Sequence, residues 1–368
     1  MLPFSAVFGF MDVYAKQSNG TFASFYNEIN SNGSVDSIKA TFNLLLLTVT
    51  DTIGALVLML ITQKSKVVPE QKKLKFGWGI VLFLCCFGIG GVGSLVGAVV
   101  NSVVLLPGTA FQMIMNNILT GSDFNINQSI LYGNDSWVYL ITTIFVVGIF
   151  VPILEELIFR KLVVDNTSKY GYGAAIMISA FTFAVFHGNF TQFFYAFGLG
   201  LLFAYVYANT GKIRYTIFFH MGYNLYASAI MPLARKLIPT GVLNSIQSSL
   251  TQMTESIQSN PEGFMDAYNR YTFEISNYIQ DPRVVLGILV TASANIFYFI
   301  LIIVGFILML VFLKKALGIR KNMMLGEKGT KRCAAFNWGA ILFYVLGAGV
   351  FLFYYGVVYF GMIVQSFR

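Results

Sequence analysis

Six polar residues inside apolar stretches of the chain have the side-chain types that hydrolytic chemistry requires. They are Glu155, Glu156, Arg160, His187, His220 and Asn224. The two histidines are the only ones in the chain. An ionisable group in hydrocarbon costs roughly 2.5–3.5 kcal/mol on insertion scales, so something must offset that cost. Chemistry is the leading explanation, and we expect these residues to form one buried polar site.

The spacing of the two glutamates on a helix predicts different tasks for them. Neighbouring residues point about 100° apart, so the two carboxylates cannot have the same set of partners. Arg160 follows Glu156 by four residues in the favourable order, which predicts a structural ion pair. Glu155 is left without a local cation, and a carboxylate sheltered from water is a good general base. Pro152 tends to kink this helix and to open space for a water molecule.

The positions of the histidines suggest that they meet the glutamates. Glu155 lies 16 residues before Gly171, a candidate turn, and His187 lies 16 residues after it. In an antiparallel hairpin both would be about 24 Å from the turn. His220 and Asn224 are four residues apart and share one helix face, but the sequence does not fix their depth. A lone buried histidine is more often a packed core residue, whereas this joint occurrence on three consecutive segments favours a functional site.

Three motifs built from these residues resemble those of the CPBP family of intramembrane proteases, which includes type II CAAX prenyl endopeptidases and bacterial Abi or bacteriocin self-immunity proteins. The motifs are Glu155-Glu156-x-x-x-Arg160, Phe183-x-x-x-His187 and His220-x-x-x-Asn224. The similarity covers about residues 137–233, and the flanking segments add nothing to it. The resemblance implies an all-helical membrane fold with a cavity, and cleavage of a peptide bond near a membrane-associated segment.

The resemblance also implies a role for each site residue. Glu155 would activate water with the help of His187, while His220 and Asn224 would stabilise the oxyanion of the tetrahedral intermediate. Glu156 and Arg160 would support these four residues. Two histidines and a carboxylate could instead hold zinc with an open position, but the chain has no His-Glu-x-x-His motif. We favour a site without a cofactor, with zinc as the alternative.

The composition predicts a polytopic membrane protein. Of the 368 residues 56% are hydrophobic and 11% are charged, and the mean hydropathy is +0.69; soluble domains have about 25% charged residues. The net charge of +8 arises from cations in loops between apolar runs, so we predict no nucleic-acid partner. Cys85, Cys86 and Cys333 form neither a disulfide framework nor a metal-binding spacing.

The fold class predicted from the apolar runs is an all-α bundle of about eight transmembrane helices with an intramembrane polar cavity. The predicted spans are 38–62, 77–103, 137–165, 173–188, 191–208, 214–233, 284–313 and 338–363. A turn at 188–189 would separate the fourth span from the fifth. Seventeen of the 24 basic residues fall in four alternate loops, which we therefore place in the cytoplasm. The predicted basic loops are 63–76, 160–172, 209–214 and 313–337.

This pattern divides the chain into four parts. They are an N-terminal extracytoplasmic segment with two transmembrane helices at 1–136, a catalytic core of four helices at 137–233, an extracytoplasmic amphipathic loop at 234–283, and two C-terminal transmembrane helices at 284–368. The loop contains apolar residues at helical spacing, namely Leu243, Ile246, Leu250, Met253 and Ile257. In the second span, Gly93 and Gly97 have the spacing of close helix contacts, for which we favour packing within the chain over dimerisation. Asp51 either joins the polar site or packs locally.

The function that we predict is a glutamate-dependent intramembrane endopeptidase, embedded in the lipid bilayer of a bacterial cytoplasmic membrane. Its substrate would be a membrane-associated peptide or protein, which the sequence does not name. Two other hypotheses stay open. One is a non-proteolytic scaffold or bacteriocin-immunity protein that binds a peptide or a sensor partner, with the motifs kept for packing. The other is a transporter, since intramembrane carboxylates and histidines can relay protons.

Overall fold

In a computed structural model of the protein, the structure describes residues 69–104, 137–187, 190–239 and 264–317, together with single residues at 45 and 49 and between 241 and 252. Every regular element within these ranges is helical, and they contain no strand. The apolar composition of the runs explains this result, because in a membrane a helix satisfies its own backbone hydrogen bonds. The all-α fold class is therefore confirmed.

Seven helices are described, and we number them in chain order. They are α1 (Phe76–Val104), α2 (Trp137–Tyr170), α3 (Tyr172–Phe186), α4 (Phe190–Thr210), α5 (Ile213–Leu225, continued through Tyr226–Ile230 and Met231–Arg235), α6 (Phe264–Tyr278) and α7 (Pro282–Leu317). Six of the eight predicted spans coincide with one of these helices within a few residues. The predicted spans 38–62 and 338–363, with Asp51, and the predicted turn at 188–189 lie outside the described residues.

Four of the described helices are long and apolar enough to cross a membrane. Their membrane-length parts are Phe76–Val100, Trp137–Tyr170, Gln192–Thr210 and Pro282–Val311. Helix α3 is apolar but shorter, as its predicted span was, and α5 is not one of the four. The described residues therefore confirm a membrane bundle, whereas they do not confirm a count of eight.

Helix α2 is not a uniform α-helix. It widens into π-helical turns at Val146–Phe150 and again at Leu157–Val164, on either side of the α-helical segment Val151–Glu156. Pro152 does not end the helix, which continues as an α-helix from Val151, the residue after the first widened turn, to Glu156. Such turns are rare and occur often at functional sites. Here they flank the segment that contains both glutamates.

Two glycines with positive φ make the tight turns between helices in the described part of the chain. Gly171 (φ 101°) separates α2 from α3, where the sequence predicted a turn, and Gly211 (φ 62°) separates α4 from α5. Both conformations favour glycine because it has no Cβ. At Gly211 a Cβ would also lie 2.9 Å from the carbonyl oxygen of Glu70. The segment before α1 is held there, because the Lys72 amide donates to the Thr210 carbonyl at 2.8 Å.

Helix α1 packs against both α4 and α7 through glycines. A Cβ on Gly93 would overlap the backbone of Tyr195 in α4, and one on Gly88 would overlap the backbone of Gly305 in α7. Packing within the chain, which the sequence favoured for this stretch, is therefore observed at Gly93. Small residues at such crossings let helix backbones approach closely.

An aromatic cluster fixes α5 against α1 and α7. The Phe87 ring lies 5.5 Å from that of Tyr223, 5.8 Å from that of Tyr226 and 6.2 Å from that of Tyr298. The Tyr226 hydroxyl also donates to the carbonyl of Ala294 at 2.6 Å. Because Tyr223 and Tyr226 lie on either side of position 224, the cluster fixes the position of that part of α5.

All five residues of the predicted amphipathic stripe in loop 234–283 lie outside the described residues. The single residues described between 241 and 252 are helical. The loop's C-terminal part instead contains α6, whose described side chains are exposed or half-buried. Ile238, Val242 and Val284 form a small buried cluster that connects the end of α5 to the start of α7.

Candidate active site

A buried ion pair lies at the centre of the polar site. The Nε of Arg160 is 3.0 Å from Oε2 of Glu156, and both side chains are completely buried. The predicted pair is thus formed within α2. Because two buried charges lose much hydration free energy, such a pair persists only where other groups also stabilise the charges.

Two aromatic rings provide part of that stabilisation for the arginine. The Arg160 guanidinium carbon lies 4.7 Å from the centre of the Phe183 ring and 5.4 Å from that of the Phe203 ring. None of its nitrogens has the direction of a hydrogen bond, even though Nε is within ion-pair distance of Glu156. The cation is therefore held by charge attraction and by aromatic faces, which bind cations through the ring quadrupole.

His220 joins both glutamates. Its Nδ1 is 3.0 Å from Oε1 of Glu156, and its Nε2 is 3.5 Å from Oε2 of Glu155. The two carboxylates have different partner sets, as expected, but these sets share one histidine. A carboxylate oxygen only accepts hydrogen bonds, so Nδ1 donates to Glu156, while Nε2 lies at ion-pair distance from Glu155. The structure thus brings residues of α2 and α5 into direct contact.

The two glutamates differ in their access to water. The Glu155 side chain is 12% exposed, whereas that of Glu156 is 0% exposed. Of the two carboxylates, only Glu155 therefore has accessible surface. The separate tasks expected from the helix spacing stay a prediction.

His187 lies at the C-terminal end of α3 and borders this cluster. Its Nδ1 is 2.8 Å from the Phe183 carbonyl oxygen, and a carbonyl only accepts, so Nδ1 carries the hydrogen and Nε2 is the basic atom of the neutral ring. The Phe183 ring separates the two histidines, at 4.8 Å from the His187 ring and 5.7 Å from the His220 ring. His187 is half-buried and connects to His220 through this phenylalanine.

Asn224 lies one turn beyond His220 and is half-buried. Its Nδ2 donates to the carbonyl oxygen of Val147 in α2 at 3.1 Å, and its own backbone carbonyl accepts from Ser228 Oγ at 2.8 Å. An amide nitrogen carries two hydrogens, so the bond to Val147 uses one of them. The partner carbonyl of Asn224 was not predictable from side-chain motifs.

A second buried cluster, which sequence reasoning missed, joins α2 to α4. Asp165 is completely buried; its Oδ2 lies 3.2 Å from Lys161 Nζ, and its Oδ1 accepts from the Tyr207 hydroxyl at 2.8 Å. Lys161 Nζ also donates to the Tyr207 hydroxyl at 3.2 Å. The spacing of Lys161 and Asp165, four residues apart in an apolar run, was a usable signal for this cluster.

The donor set does not fit a metal site. Within the described ranges, no three His, Cys, Asp or Glu side chains are grouped so that they could hold a metal ion. Both ring nitrogens of His220 already face carboxylates, and Glu156 is bound to Arg160. We therefore derive no step through zinc.

The family comparison covers the same part of the chain as this site. Residues 137–226 match the family described as type II CAAX prenyl endopeptidase Rce1-like. This part of the chain resembles that family over these residues. The match lies within the 137–233 over which the three motifs showed their resemblance, and all six predicted site residues lie within it.

One curated protein is similar to part of the chain. It is "Putative membrane peptidase YdiL" of Bacillus subtilis (strain 168), 33% identical over 103 residues. The match covers 28% of this chain and 39% of that protein. No solved structure matches. Both comparisons therefore show a likeness to membrane peptidases over part of the chain.

Proposed function

We propose that the protein is an intramembrane endopeptidase of a bacterial cytoplasmic membrane that cleaves a membrane-associated peptide or protein, with Glu155 as the general base. The observation that carries the proposal is the contrast between two adjacent carboxylates. Glu156 is completely buried in an ion pair, whereas Glu155 is partly exposed and its Oε2 lies 3.5 Å from His220 Nε2. The similarity of residues 137–226 to a prenyl endopeptidase family supports the same reaction type.

In the proposed mechanism, Glu155 removes a proton from a water molecule whose oxygen attacks the carbonyl carbon of the peptide bond. The carbonyl oxygen becomes an oxyanion, which accepts hydrogen bonds from His220 Nε2 and the second amide hydrogen of Asn224. One such donor is worth roughly 2.7–4 kcal/mol of barrier. The proton on Glu155 then passes to the nitrogen of the leaving amine as the bond breaks. His187, through its basic Nε2, assists the water.

Glu156 and Arg160 have a supporting role in this proposal. Glu156 holds Nδ1 of His220, which directs Nε2 of the same ring toward Glu155. Arg160 neutralises Glu156, so the charge beside His220 stays balanced. Neither residue touches the reacting atoms, and both are positioning residues.

The test is Glu155→Gln in purified protein reconstituted in liposomes. The probe is a library of quenched fluorescent peptides with a membrane anchor, and the peptide that the wild-type protein cleaves fastest becomes the standard substrate. We expect a loss of cleavage of about 10²–10⁴-fold, because the amide cannot accept the proton. The helical circular dichroism spectrum should be unchanged.

The matched control is Glu70→Gln, the same substitution at an exposed glutamate near the start of α1. It should cleave the standard substrate as the wild-type protein does. Full cleavage by the Glu155 variant would defeat the proposal.

A scaffold that binds a peptide or sensor partner is the second candidate. One observation favours it, since His220 is almost fully buried and is engaged by both carboxylates, as in a cluster that only joins helices. This function requires no proton transfer at Glu155. A cellular phenotype that survives both Glu155→Gln and His187→Ala would favour it.

A further inference from the structure

Helices α2 and α5 contain the same unusual sequence of turns. In each, a five-residue π-helical turn is followed by one residue and then a proline; the two turns are Val146–Phe150 before Pro152 and Tyr226–Ile230 before Pro232. The amide before each proline donates to the carbonyl five residues back, from Val151 to Val146 and from Met231 to Tyr226. The next donor in each ladder would be the proline nitrogen.

Proline has no N–H, so each ladder is interrupted at this point. In α2 the carbonyl that loses its donor is that of Val147, and in α5 it is that of Ala227. A backbone carbonyl without a donor costs several kcal/mol in hydrocarbon, so another group must supply the hydrogen. At Val147 that group is the Asn224 side chain, whose Nδ2 donates to this carbonyl at 3.1 Å.

The contact depends on a close approach of the two helices, which Gly148 permits. A Cβ at this position would lie 2.7 Å from Leu225 Cδ2 and 2.7 Å from Ser228 Oγ. Ser228 in turn donates to the backbone carbonyl of Asn224 at 2.8 Å. A glycine next to the interrupted ladder therefore brings the amide of α5 to the carbonyl of α2.

We propose that Pro152 is a positioning residue for Asn224, acting through the carbonyl of Val147. The missing proline N–H leaves that carbonyl as an acceptor, which fixes the plane of the Asn224 amide. The second amide hydrogen then has one direction, and in the proposed mechanism it donates to the oxyanion. The inference deepens the proposed function and rests on it for that last step alone.

The kinetic test is Pro152→Ala, which restores a backbone N–H that competes for the α2 carbonyls. We expect kcat for the standard substrate to fall about 10- to 100-fold while KM stays unchanged, because a donor to the transition state is misplaced. Asn224→Ala should lower kcat at least as much, and the double variant should be no worse than Asn224→Ala. The control is Pro232→Ala, in the matching turn of α5, which should leave kcat at the wild-type value.

A second readout does not require cleavage. In protein labelled with ¹⁵N-asparagine, the side-chain NH₂ signals of Asn224 are assigned by their loss in Asn224→Ala. Pro152→Ala should shift these signals toward those of an amide without a carbonyl partner, and Pro232→Ala should leave them in place. If Pro152→Ala fails to fold, Gly148→Ala replaces it, with Gly77→Ala as its control, since a Cβ at Gly77 meets nothing within 4 Å.

The outcomes separate the two proposals. Unshifted Asn224 signals in the Pro152 or Gly148 variant overturn the inference whether or not the protein cleaves peptides. Shifted signals with wild-type kcat also overturn it, because the contact would then position nothing. Additive losses in the double variant, or an equal loss in Pro232→Ala, count against it as well. Absence of cleavage by the wild-type protein overturns the proposed function, while the signals still test the contact between Val147 and Asn224.

Discussion

The two buried clusters of α2 begin alike and differ in what surrounds them. In each, a completely buried carboxylate pairs with a cation four residues away, Glu156 with Arg160 and Asp165 with Lys161. The first cluster adds a second carboxylate that is partly exposed, and a histidine between the two. The second adds a tyrosine hydroxyl from α4. The partly exposed carboxylate is therefore the feature on which the proposed catalytic role of the first cluster depends.

The clusters also differ in how their cations are held. Arg160 is enclosed with its charge over two aromatic rings, while the Lys161 side chain is 35% exposed and its amine reaches both Asp165 and Tyr207. A flexible lysine side chain can extend its charged amine toward water, whereas the completely buried guanidinium of Arg160 cannot. We therefore expect the first cluster to be the more sensitive of the two to the loss of one partner.

The largest expected effect is that of Arg160→Met. Removal of the cation leaves Glu156 charged and buried without its partner, which costs about 3–5 kcal/mol of folding free energy. The measurement is the unfolding free energy in detergent, followed by circular dichroism. Arg283→Met is the control, since this arginine is exposed and pairs with Asp281 at the surface; its unfolding curve should coincide with that of the wild-type protein. A stable Arg160→Met protein would contradict the dependence of this cluster on its ion pair.

A smaller effect is expected for Asp165→Asn in the second cluster. The asparagine amide has nearly the shape of the carboxylate but lacks the negative charge that pairs with Lys161 and accepts from Tyr207. We expect the unfolding free energy to fall by about 1–3 kcal/mol. Cleavage of the standard substrate per folded molecule should be unchanged, in contrast to Glu155→Gln. Asp281→Asn, at a partly exposed aspartate outside both clusters, is the control for the substitution. If Asp165→Asn lost cleavage as severely as Glu155→Gln, the proposed distinction between a catalytic cluster and a cluster that only joins helices would be wrong.

Several features of the fold and of the first cluster were predictable because they depend on local sequence. Apolar length located six helices, and the glycine at 171 marked a turn since only glycine readily takes a positive φ. The four-residue spacing of Glu156 and Arg160 predicted their pair. The same rule applied to Lys161 and Asp165 would have found half of the second cluster.

The features that the sequence did not reveal depend on how the helices pack against one another. The two contacts of His220 require α5 to cross α2 at one depth, and residue spacing within α5 carries no information about that depth. The π-helical turns shift the register of α2, so a count based on 3.6 residues per turn fails beyond Phe150. The carbonyl partner of Asn224 depends on this turn and went unnoticed, while the kink expected at Pro152 stays a prediction.

The smallest effect expected in this comparison is that of Tyr207→Phe. The substitution removes one hydroxyl that donates to Asp165 and accepts from Lys161, while the ring, which is completely buried, keeps its packing. Because Lys161 still pairs with Asp165, we expect a loss of about 0.5–1.5 kcal/mol in the unfolding free energy. Tyr268→Phe, at an exposed tyrosine of α6, is the control and should not change the unfolding free energy. A loss of unfolding free energy as large as that of Arg160→Met would mean that the Tyr207 hydroxyl, and not the ion pair, stabilises the second cluster. The two clusters would then be alike only in the spacing of their charged residues.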